Sequence, residues 1–217
     1  MDISVLFEDA HIIVVLKPPM LVCESTAKKD GLADLLAERT GGYIGTVHRL
    51  DRGVGGVMVY ANNRHAAAAL SAAVQEHRLT KEYLAVIHGV PAADTDTLRD
   101  LLFHDRRQNK TFAVTRERAG VKEAILEYVL QKSEEIPPYG TLSLVRVKLH
   151  TGRTHQIRVQ FSTRGHALLG DGKYGASGDR CPIALFSHTL CFPHPRDGRQ
   201  LTFTKTPDGE IWNRLIL

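Results

Sequence analysis

Residues 141–158 read TLSLVRVKLHTGRTHQIR and carry the clearest structural signal of the chain. Between positions 145 and 149, the apolar side chains at odd positions fall on one face of an extended strand, whereas Arg146 and Lys148 fall on the other. This alternation predicts a strand with one face in the core and one positively charged face. A glycine-containing turn follows, and Thr154 is placed to cap a short helix over residues 155–164.

Similar patterns predict further elements on both sides of this segment. Strands are predicted over residues 4–7, 11–17, 56–61, 81–87 and 124–130, and helices after Asp30 and Asn63. The long polar stretch 91–121 is predicted to be a long loop that is mobile or faces a ligand and contains one short strand. Because strands occur both in hairpins and between helices, the predicted fold class is α+β, with a mixed, largely antiparallel central sheet flanked by helices and loops.

The composition is typical of an ordinary globular protein. Of the 217 residues, 43% are hydrophobic and 24% are charged, which excludes disordered and collagen-like classes. No apolar run approaches the ~20 residues of a membrane span, and the acidic residues near the N-terminus fit no signal or transit peptide. The 3 cysteines indicate a reducing compartment. We therefore expect a cytoplasmic protein with a single domain over residues 1–217, and a monomer by default.

The basic residues are unevenly distributed. The formal charge of +4 says little by itself about what the protein binds. Residues 136–170, however, contain no acidic residue, and the cations there are Arg146, Lys148, Arg153, Arg158 and Arg164. Such a cationic stretch indicates a polyanionic partner. A solvated basic face that binds nothing in particular is an equally weighted alternative.

Most signatures of cofactor and metal chemistry are missing from the sequence. It has no Gly-x-x-x-x-Gly-Lys phosphate loop, no complete Gly-x-Gly-x-x-Gly, no His-Glu-x-x-His and no Cys-x-x-Cys. Cys181, His188, Cys191 and His194 have a spacing that suggests zinc ligands. The apolar, strand-like residues between them favour packing instead. No cofactor and no metal is therefore expected.

A second polar segment, VHRLDRG at residues 47–53, precedes the predicted strand 56–61. It sets Asp51 between Arg49 and Arg52 on a glycine-rich loop. A carboxylate in such a place can act as a nucleophile or stabilise a positive charge. The alternative is a turn aspartate in a surface ion pair, and for residues 151–158 the alternative is a capped basic helix.

These segments together resemble the RluA-type RNA pseudouridine synthases along nearly the whole chain. HRLD at 48–51 matches the motif of that family's catalytic aspartate, and GRTHQIR at 152–158 matches its second signature. The other matches are KEYLA at 81–85, which corresponds to the strand of the active-site tyrosine, Gly165-His166 with Gly170-Asp171, and Ser187-His188, where the family often has Leu-His-Ala. The resemblance implies the pseudouridine synthase catalytic fold, with a central active-site cleft and no cofactor.

The resemblance implies that the protein isomerises specific uridines in structured ribosomal or transfer RNA to pseudouridine. Asp51 is then the catalytic carboxylate, which acts by covalent attack or on a glycal route. Burial can raise a carboxyl pKa by up to ~3–5 units, and one nearby cation lowers it by ~1–3. A buried aspartate therefore needs a cation to stay ionised. The family pattern assigns this role to Arg158, which predicts an Asp51–Arg158 ion pair.

The resemblance also implies roles for other residues. Tyr83 is the platform for the flipped uracil, with a hydroxyl available for proton transfer. Ile157 packs on the other side of the base, and Arg49 takes the vacated place in the RNA. The remaining predicted substrate contacts are His155, Gln156, Arg153, Arg146, Lys148, Arg106 and Arg107, of which the arginines and Lys148 contact phosphates. RNA is the only partner predicted, with no membrane and no nucleotide cofactor.

The sequence departs from the family pattern at several positions. Val54-Gly55 stands where the family usually has Thr-Ser, and Met20 stands in place of a glycine in the first motif. The small N-terminal RNA-binding domain of some relatives is not expected, because the catalytic pattern begins at about Ser4. Two alternatives stay open. One is a catalytically idle RNA-binding relative, and the other is a nucleoside or glycoside hydrolase, which normally needs a second carboxylate such as Asp171.

Overall fold

The computed structural model describes residues 3–25, 30–175 and 178–216. The chain forms two compact units. The first comprises Met1–Lys81 and Phe186–Pro207, and the second comprises Glu82–Leu185 and Asp208–Leu217. The predicted single domain over residues 1–217 stays a prediction, because compactness alone does not show whether either unit folds independently.

Most elements of the described chain are strands, and a helix separates some of them. The strands are β1 (Ser4–Glu8), β2 (Ile12–Lys17), β3 (Gly45–Thr46), β4 (Gly55–Ala61), β5 (Thr80–His88), β6 (Thr95–Asp105), β7 (Lys110–Val114), β8 (Val121–Glu135), β9 (Thr141–Leu149), β10 (Leu185–Pro193) and β11 (Gln200–Thr204). The helices are α1 (Leu32–Thr40), α2 (Arg64–Gln75), α3 (Gln156–Ser162) and α4 (Glu210–Ile216). Within the described ranges, none of these helices has the length and apolar character needed to cross a membrane.

The first unit is built on a mixed sheet. Strand β2 pairs antiparallel with β1 and β4, and β4 pairs in parallel with β10. Strand β11 pairs with β10, and the short β3 pairs with β4, both antiparallel. Every residue of β4 is buried, so this strand fixes whatever loop precedes it. Helix α2 packs Ala66 and Leu70 into the same core. Its cap is the predicted Asn63, whose side chain accepts the Ala66 N–H at 2.8 Å.

The second unit contains a sheet with the strand order β5-β9-β8-β6-β7. Strand β9 pairs with β8, β8 with β6 and β6 with β7, all antiparallel. Strand β9 has the bounds predicted from the sequence, with Val145 and Val147 buried and with Arg146 and Lys148 exposed. The predicted α+β class with a mixed, largely antiparallel sheet is confirmed.

The polar stretch 91–121 differs from its prediction. It contains two strands, β6 and β7, which pair antiparallel, rather than one short strand. The run Leu-Leu-Phe at residues 101–103 interrupts the alternation of polar and apolar side chains, which hides the two-residue period of β6. The turn of this hairpin carries Arg106 and Arg107.

Two predicted helix caps are wrong. Helix α1 is capped at Gly31 rather than Asp30, and the Asp34 carboxylate accepts the Gly31 N–H at 2.6 Å. The acceptor here belongs to a residue inside the first turn rather than to the capping residue. It satisfies the backbone N–H of Gly31. Helix α3 begins after His155, whose backbone is left-handed at φ 55°, so Thr154 does not cap it.

Candidate active site

Asp51 lies between β3 and β4 of the first unit, on residues 47–54, which we call the Asp51 loop. The Val54 N–H donates to the Asp51 carbonyl at 2.9 Å and closes a tight turn. Leu50 is buried and anchors the loop, whereas Asp51 is half-buried. The carboxylate is therefore presented immediately before a strand that cannot move without disturbing the core.

Contacts to the main chain hold the Asp51 loop against residues 20–23. The Met20 N–H donates to the Arg52 carbonyl at 2.7 Å. The Leu50 N–H donates to Cys23 Sγ, and the Cys23 thiol donates to the Leu50 carbonyl, both at 3.3 Å. Because they use backbone groups of the loop, these contacts fix its path whichever side chains it carries.

Met20 occupies a position where the family usually has glycine, and its backbone is left-handed at φ 70°. That region favours glycine and costs other residues roughly 1–2 kcal/mol. The Met20 side chain is 60% exposed, so space is not the constraint at this position. The usual glycine is therefore explained by the turn that brings the Met20 N–H to the Asp51 loop.

Lys17, the last residue of β2, is a buried cation beside the Asp51 loop and is only 1% exposed. Its ammonium donates to the carbonyl oxygens of Pro18 at 3.0 Å, Leu21 at 2.7 Å and Arg52 at 3.3 Å. Burial lowers the pKa of Lys17 to about 8, although the negative charge of Asp51 acts in the opposite direction. Lys17 therefore ties β2 to the loop and places a positive charge within the field of Asp51.

His48 is a neutral, buried histidine at the start of the HRLD motif. The Val59 N–H donates to His48 Nε2 at 3.2 Å, which leaves the ring proton on Nδ1. Burial, together with the charge of Lys81, lowers the pKa of His48 to about 3. His48 Nδ1 is buried and has no hydrogen-bond partner within the described ranges. An orphaned buried donor costs about 1–3 kcal/mol, so this one calls for an explanation.

Arg49, predicted to take the place of the flipped base, is exposed. Its Nη1 lies 3.8 Å from Glu24 Oε2, and the two side chains are 72% and 49% exposed. A pair this exposed contributes about 0–1 kcal/mol. The contact is therefore easily exchanged for another, and the role of Arg49 stays a prediction.

Arg158 lies in the first turn of α3, in the second unit. Its Nε and Nη2 donate to Asp171 Oδ2 and Oδ1, both at 2.8 Å. Burial raises the pKa of Asp171, but the hydrogen bonds and charge of Arg158 outweigh burial and hold the pKa below its ordinary value. The guanidinium also lies 5.1 Å from the ring centre of Tyr174. Asp171 and Tyr174 together fix the orientation of the arginine.

The three residues before Arg158 are built into the second unit. His155 Nδ1 lies 2.8 Å from Tyr174 Oη, and Ile157 is 4% exposed. Gln156 Oε1 accepts from Thr151 Oγ1 and the Arg153 N–H, and its Nε2 donates to the Ile125 carbonyl and Gln160 Oε1. Gln156 therefore supports the segment from inside. The predicted substrate contacts of these three residues stay predictions.

The β6–β7 hairpin lies close to the start of α3. Thr111 Oγ1 donates to the Thr154 carbonyl at 2.9 Å. At the turn, the Asp105 carboxylate accepts the Arg107 N–H at 2.8 Å, and Arg106 and Arg107 are exposed. The hairpin thus meets residue 154 of the same unit through Thr111, and the roles of Arg106 and Arg107 stay predictions.

Of the other predicted phosphate contacts, Arg146 and Lys148 are exposed. Arg146 and Lys148 project from the outer face of β9, where Lys148 stands opposite Glu127. Arg153 is half-buried, and its Nε donates to the Glu123 carbonyl at 2.8 Å. These cations can reach a phosphate in solvent, and their roles stay predictions.

Tyr83 lies on β5 and is 6% exposed. It belongs to the second unit together with Arg158, whereas Asp51 belongs to the first. The Asp51–Arg158 ion pair and the stacking role of Tyr83 stay predictions.

The residues that suggest zinc ligands in the sequence make other contacts. His194 is buried, with Nε2 at 2.8 Å from Asp9 Oδ2, and His188 Nδ1 donates to the Lys205 carbonyl at 2.7 Å. Within residues 3–25, 30–175 and 178–216, no group of three or more His, Cys, Asp or Glu is arranged to hold a metal ion.

Solved structures of two human proteins share this fold. RNA pseudouridylate synthase domain containing 1 matches with a TM-score of 0.79 and 24% identity, over 94% of this chain and 84% of that chain. RNA pseudouridylate synthase domain containing 4 matches with a TM-score of 0.73 and 22% identity, over 93% and 87%. At these identities the likeness shows the fold alone, which is that of a pseudouridine synthase.

Sequence comparisons define the family. The model of the RNA pseudouridylate synthase family matches residues 11–163. An uncharacterised RNA pseudouridine synthase of Aquifex aeolicus is 34% identical, over 93% of this chain and 68% of that protein. Ribosomal large subunit pseudouridine synthase D of Zymomonas mobilis is 31% identical, over 93% and 68%. The chain therefore belongs to the RluA-type RNA pseudouridine synthases, enzymes that isomerise uridine in RNA.

Sequence reasoning missed the contacts of Lys17 and Asp171. Lys17 follows five apolar residues in β2, and a charge at the end of such a run is a readable sign of a buried lysine. The sequence marks Asp171 as part of the matching Gly170-Asp171 segment and as a possible second carboxylate of a hydrolase. Its role as the partner of Arg158, 13 residues earlier, depends on the loop after α3, whose path the sequence does not indicate.

Proposed function

We propose that this protein converts specific uridines of ribosomal or transfer RNA to pseudouridine, with Asp51 as the catalytic carboxylate. The placement of Asp51 carries the proposal. The HRLD motif lies on a loop that is tied to Met20 and Lys17 through the Arg52 carbonyl. A carboxylate on a fixed loop is already oriented for reaction at one atom of a bound nucleotide.

The reaction breaks the bond between uracil N1 and ribose C1′ and joins C1′ to uracil C5. In one route, Asp51 attacks C1′ as the base departs, and C5 of the rotated base then displaces the carboxylate. In the other, Asp51 accepts a ribose proton, a glycal forms, and the proton returns after C5 has bonded. Both routes release the C5 hydrogen as a proton to water, and N1, freed from the ribose, takes up one proton in exchange, so the product is an isomer of the substrate. Both need an ionised carboxylate and no cofactor.

Tyr83 and Arg158 complete the proposed catalytic group. Tyr83 provides a face for the flipped uracil, where stacking is worth roughly 1–3 kcal/mol, and its hydroxyl serves in proton transfer. Ile157 packs on the opposite side of the base. Arg158, already oriented by Asp171, supplies the positive charge that keeps Asp51 ionised.

The proposed RNA contacts follow from the need to expose the target base. A uridine in paired RNA must be flipped out at a cost of a few kcal/mol, and Arg49 fills the gap. His155 and Gln156 lie nearest the reacting nucleotide in this proposal. The proposed phosphate contacts are Arg106, Arg107, Arg146, Lys148 and Arg153. Each phosphate contact adds ~0.7–0.9 to the salt dependence of binding.

The hydrolase alternative loses its second carboxylate. The Asp171 side chain is 0% exposed, and both of its carboxylate oxygens accept hydrogen bonds from Arg158. Its pKa is held below the ordinary value, so it is a poor proton donor at neutral pH. A hydrolase built on Asp51 would need an acid that Asp171 does not provide.

The first experiment identifies the substrate. Pseudouridines are mapped across total RNA from cells with and without the protein. The proposal expects one or a few sites in ribosomal or transfer RNA that depend on the protein. Binding to cellular RNA without any dependent site would instead support a catalytically idle relative.

The second experiment tests the role of Asp51. RNA spanning the mapped uridine is labelled with tritium at uracil C5, and release of the label is followed. Asp51→Ala should abolish release, whereas Asp94→Ala, at an exposed position outside the site, should retain it. Label release by Asp51→Ala would remove Asp51 from the reaction, and free uracil as the product would favour the hydrolase.

A further inference from the structure

The sheet of the second unit has one face that packs against helix α3 and one open face. On the packed face, Leu102 and Ala124 contact Val159 of α3. Side chains alternate along a strand, so Phe103, the residue after Leu102, points to the open face. Phe112 stands directly opposite Phe103 on β7 and points the same way. Two phenyl rings on adjacent strands therefore lie on the open face, where the β6–β7 hairpin ends the sheet.

Packing does not explain the exposure of Phe112. Its side chain is 37% exposed, on the last strand of the sheet. Single exposed apolar side chains are ordinary, but grouped ones mark a binding surface. Of the five large apolar side chains that are exposed in the described ranges, Phe112 and Val129 both lie on this face. The open face is thus more apolar than a surface that meets only solvent needs to be.

A cation lies over each of the two rings. The guanidinium carbon of Arg118 lies 4.5 Å from the ring centre of Phe103, and Lys110 Nζ lies 5.7 Å from the ring centre of Phe112. Aromatic rings attract cations in this way. A ring offers a stacking surface to a nucleobase, and a planar guanidinium stacks on bases as well. A ring together with its cation therefore matches both parts of a nucleotide, the base and the phosphate.

Positive charge is concentrated beside these rings. Residues 106–118 contain five basic residues and one acidic residue, Glu117. This segment alone carries a charge of +4, equal to the formal charge of the whole chain. Glu123, on the open face of β8, has Oε1 3.9 Å from Arg99 Nη1, which offsets its charge. The five basic residues are Arg106, Arg107, Lys110, Arg116 and Arg118. The surface is therefore complementary to an anion that also carries apolar groups.

The cations of β9 lie on the same face. Lys148 stands opposite Glu127 of β8, and Glu127 stands opposite Thr97 of β6. Residues that stand opposite each other point to one side of a sheet, and so do residues an even number apart on one strand. Lys148 and Arg146 therefore share the open face with Phe103, which follows Thr97 by six residues.

We propose that the open face binds an unpaired stretch of RNA, with one base stacked on Phe112 and with Lys110 and Arg118 at its phosphates. RNA is an anion that also presents flat apolar groups. Bases in a duplex stack on one another, so an aromatic platform selects unpaired nucleotides. This inference rests on the proposed RNA substrate, and it adds a binding surface on the opposite side of the sheet from α3. The substrate should then carry an unpaired segment in addition to its target uridine.

The first test uses a labelled oligoadenylate of roughly ten nucleotides, which contains no uridine and so is not a substrate. Its binding is followed by fluorescence anisotropy. Wild type should bind it, Phe112→Ala should bind it about 5- to 150-fold more weakly, and Phe112→Tyr should bind it like wild type. Phe112→Leu keeps an apolar side chain in the strand but has no ring, so its affinity should fall as far as that of Phe112→Ala.

The matched control is Tyr43 of the first unit, an exposed ring with Arg64 5.4 Å from its centre. Tyr43→Ala should bind the oligoadenylate like wild type. Thermal unfolding checks that each variant folds, and Phe112→Leu decides the result if Phe112→Ala does not fold. The proposal is overturned by a wild type that does not bind, by wild-type affinity in Phe112→Leu, or by an equal loss in Tyr43→Ala.

The salt dependence of binding separates stacking from charge. Stacking releases no counterion, so Phe112→Ala should keep the wild-type slope of log K against log salt. Arg118→Met should lower the slope by ~0.7, the value for one phosphate of a single strand. Arg64→Met, which removes the cation over the control ring, should keep the slope. An unchanged slope in Arg118→Met, or an equal fall in Arg64→Met, would contradict the phosphate contact.

A blunt RNA duplex tests the preference for unpaired bases. Its bases already stack on one another, so wild type and Phe112→Ala should bind it equally. An equal weakening of duplex and oligoadenylate binding in Phe112→Ala would contradict a base stacked on Phe112.

Tritium release from the mapped substrate keeps the two proposals separate. If wild type releases the label and Asp51→Ala does not, the proposed function stands even when Phe112→Ala binds oligoadenylate normally. If wild type isomerises no RNA, the proposed function fails by itself, and the oligoadenylate affinities still report on the open face.

Discussion

The Asp51 loop of the first unit and the Arg158 segment of the second are held by different kinds of contact. The loop is held mainly through its own backbone, by the amide of Leu50 and the carbonyls of Leu50 and Arg52. Arg158 is held by side-chain groups, which include the Asp171 carboxylate and the Tyr174 ring. Backbone contacts survive most substitutions, whereas a side-chain contact is lost with one. The carboxylate should therefore tolerate changes around it better than the arginine does.

The largest effect is expected from Asp171→Asn. Asp171→Asn removes the negative charge that faces the guanidinium of Arg158, and breaking a buried ion pair costs about 3–5 kcal/mol. Urea unfolding should show this loss, and tritium release should fall with it. The control is Glu8→Gln, which breaks the exposed Glu8–Arg39 pair of the first unit and should cost about 0–1 kcal/mol. Similar losses in the two variants would show that the Arg158–Asp171 pair contributes no more to stability than an exposed ion pair does.

The next prediction tests how firmly the backbone of β4 holds the Asp51 loop. Gly56 follows the Asp51 loop in β4, with φ 124°, and an added Cβ would lie within 3 Å of the Ser187 backbone on β10. Strain and overpacking should together cost Gly56→Ala about 2–4 kcal/mol. Gly42→Ala, where an added Cβ meets nothing within 4 Å, is the control and should be nearly neutral in thermal unfolding. A stable Gly56→Ala protein would show that the loop is less firmly seated than its contacts indicate.

A smaller effect concerns Lys17, whose ammonium donates to the Arg52 carbonyl of the Asp51 loop. The folded protein loses the Lys17 proton near pH 8, whereas the ordinary pKa is 10.5. Between these values the unfolded chain binds more protons, so this group makes the free energy of unfolding rise with pH. That free energy should therefore rise by about 2–3 kcal/mol more in wild type than in Lys17→Met between pH 8 and 10.5. Parallel pH curves for the two proteins would mean that Lys17 is not buried as a cation.

The smallest effect is a gain in stability. Met20→Gly removes the left-handed strain of about 1–2 kcal/mol but adds freedom to the unfolded chain. Thermal unfolding should show a net gain of about 0.5–1 kcal/mol. Met20→Ala keeps a Cβ and should gain nothing. An equal gain in both variants would assign the effect to the lost side chain rather than to the backbone.

Local signals in the sequence predicted the parts of the fold that local chemistry decides. The alternation at residues 141–149 gave the bounds of β9, and Asn63 gave the cap of α2. The β6–β7 hairpin was missed because apolar residues on both faces of β6 hide its period. Helix α1 was misjudged at its start because Gly31 takes its cap contact from Asp34, inside the helix.

In the candidate site, too, the sequence indicates what is continuous in the chain and misses the contacts that folding creates. The HRLD motif predicts Asp51 as the catalytic carboxylate, because the motif is continuous in sequence, and that role stays a prediction. The partner carbonyls of Lys17 come from residues brought together by folding, and no side-chain pattern marks a carbonyl. His48 is similar, since its neutrality follows from burial and from the Val59 N–H on β4. Contacts of this kind become visible only when the tertiary structure is known.

The most direct test of the central claim is a single-turnover assay of tritium release from C5-labelled RNA with Asp51→Asn. Asparagine keeps the size of the side chain and removes its charge, so RNA binding should be retained while release falls to the level without enzyme. Wild type should release the label and form pseudouridine in equal amounts. Release by Asp51→Asn at a rate near that of wild type would contradict the assignment of Asp51 as the catalytic carboxylate.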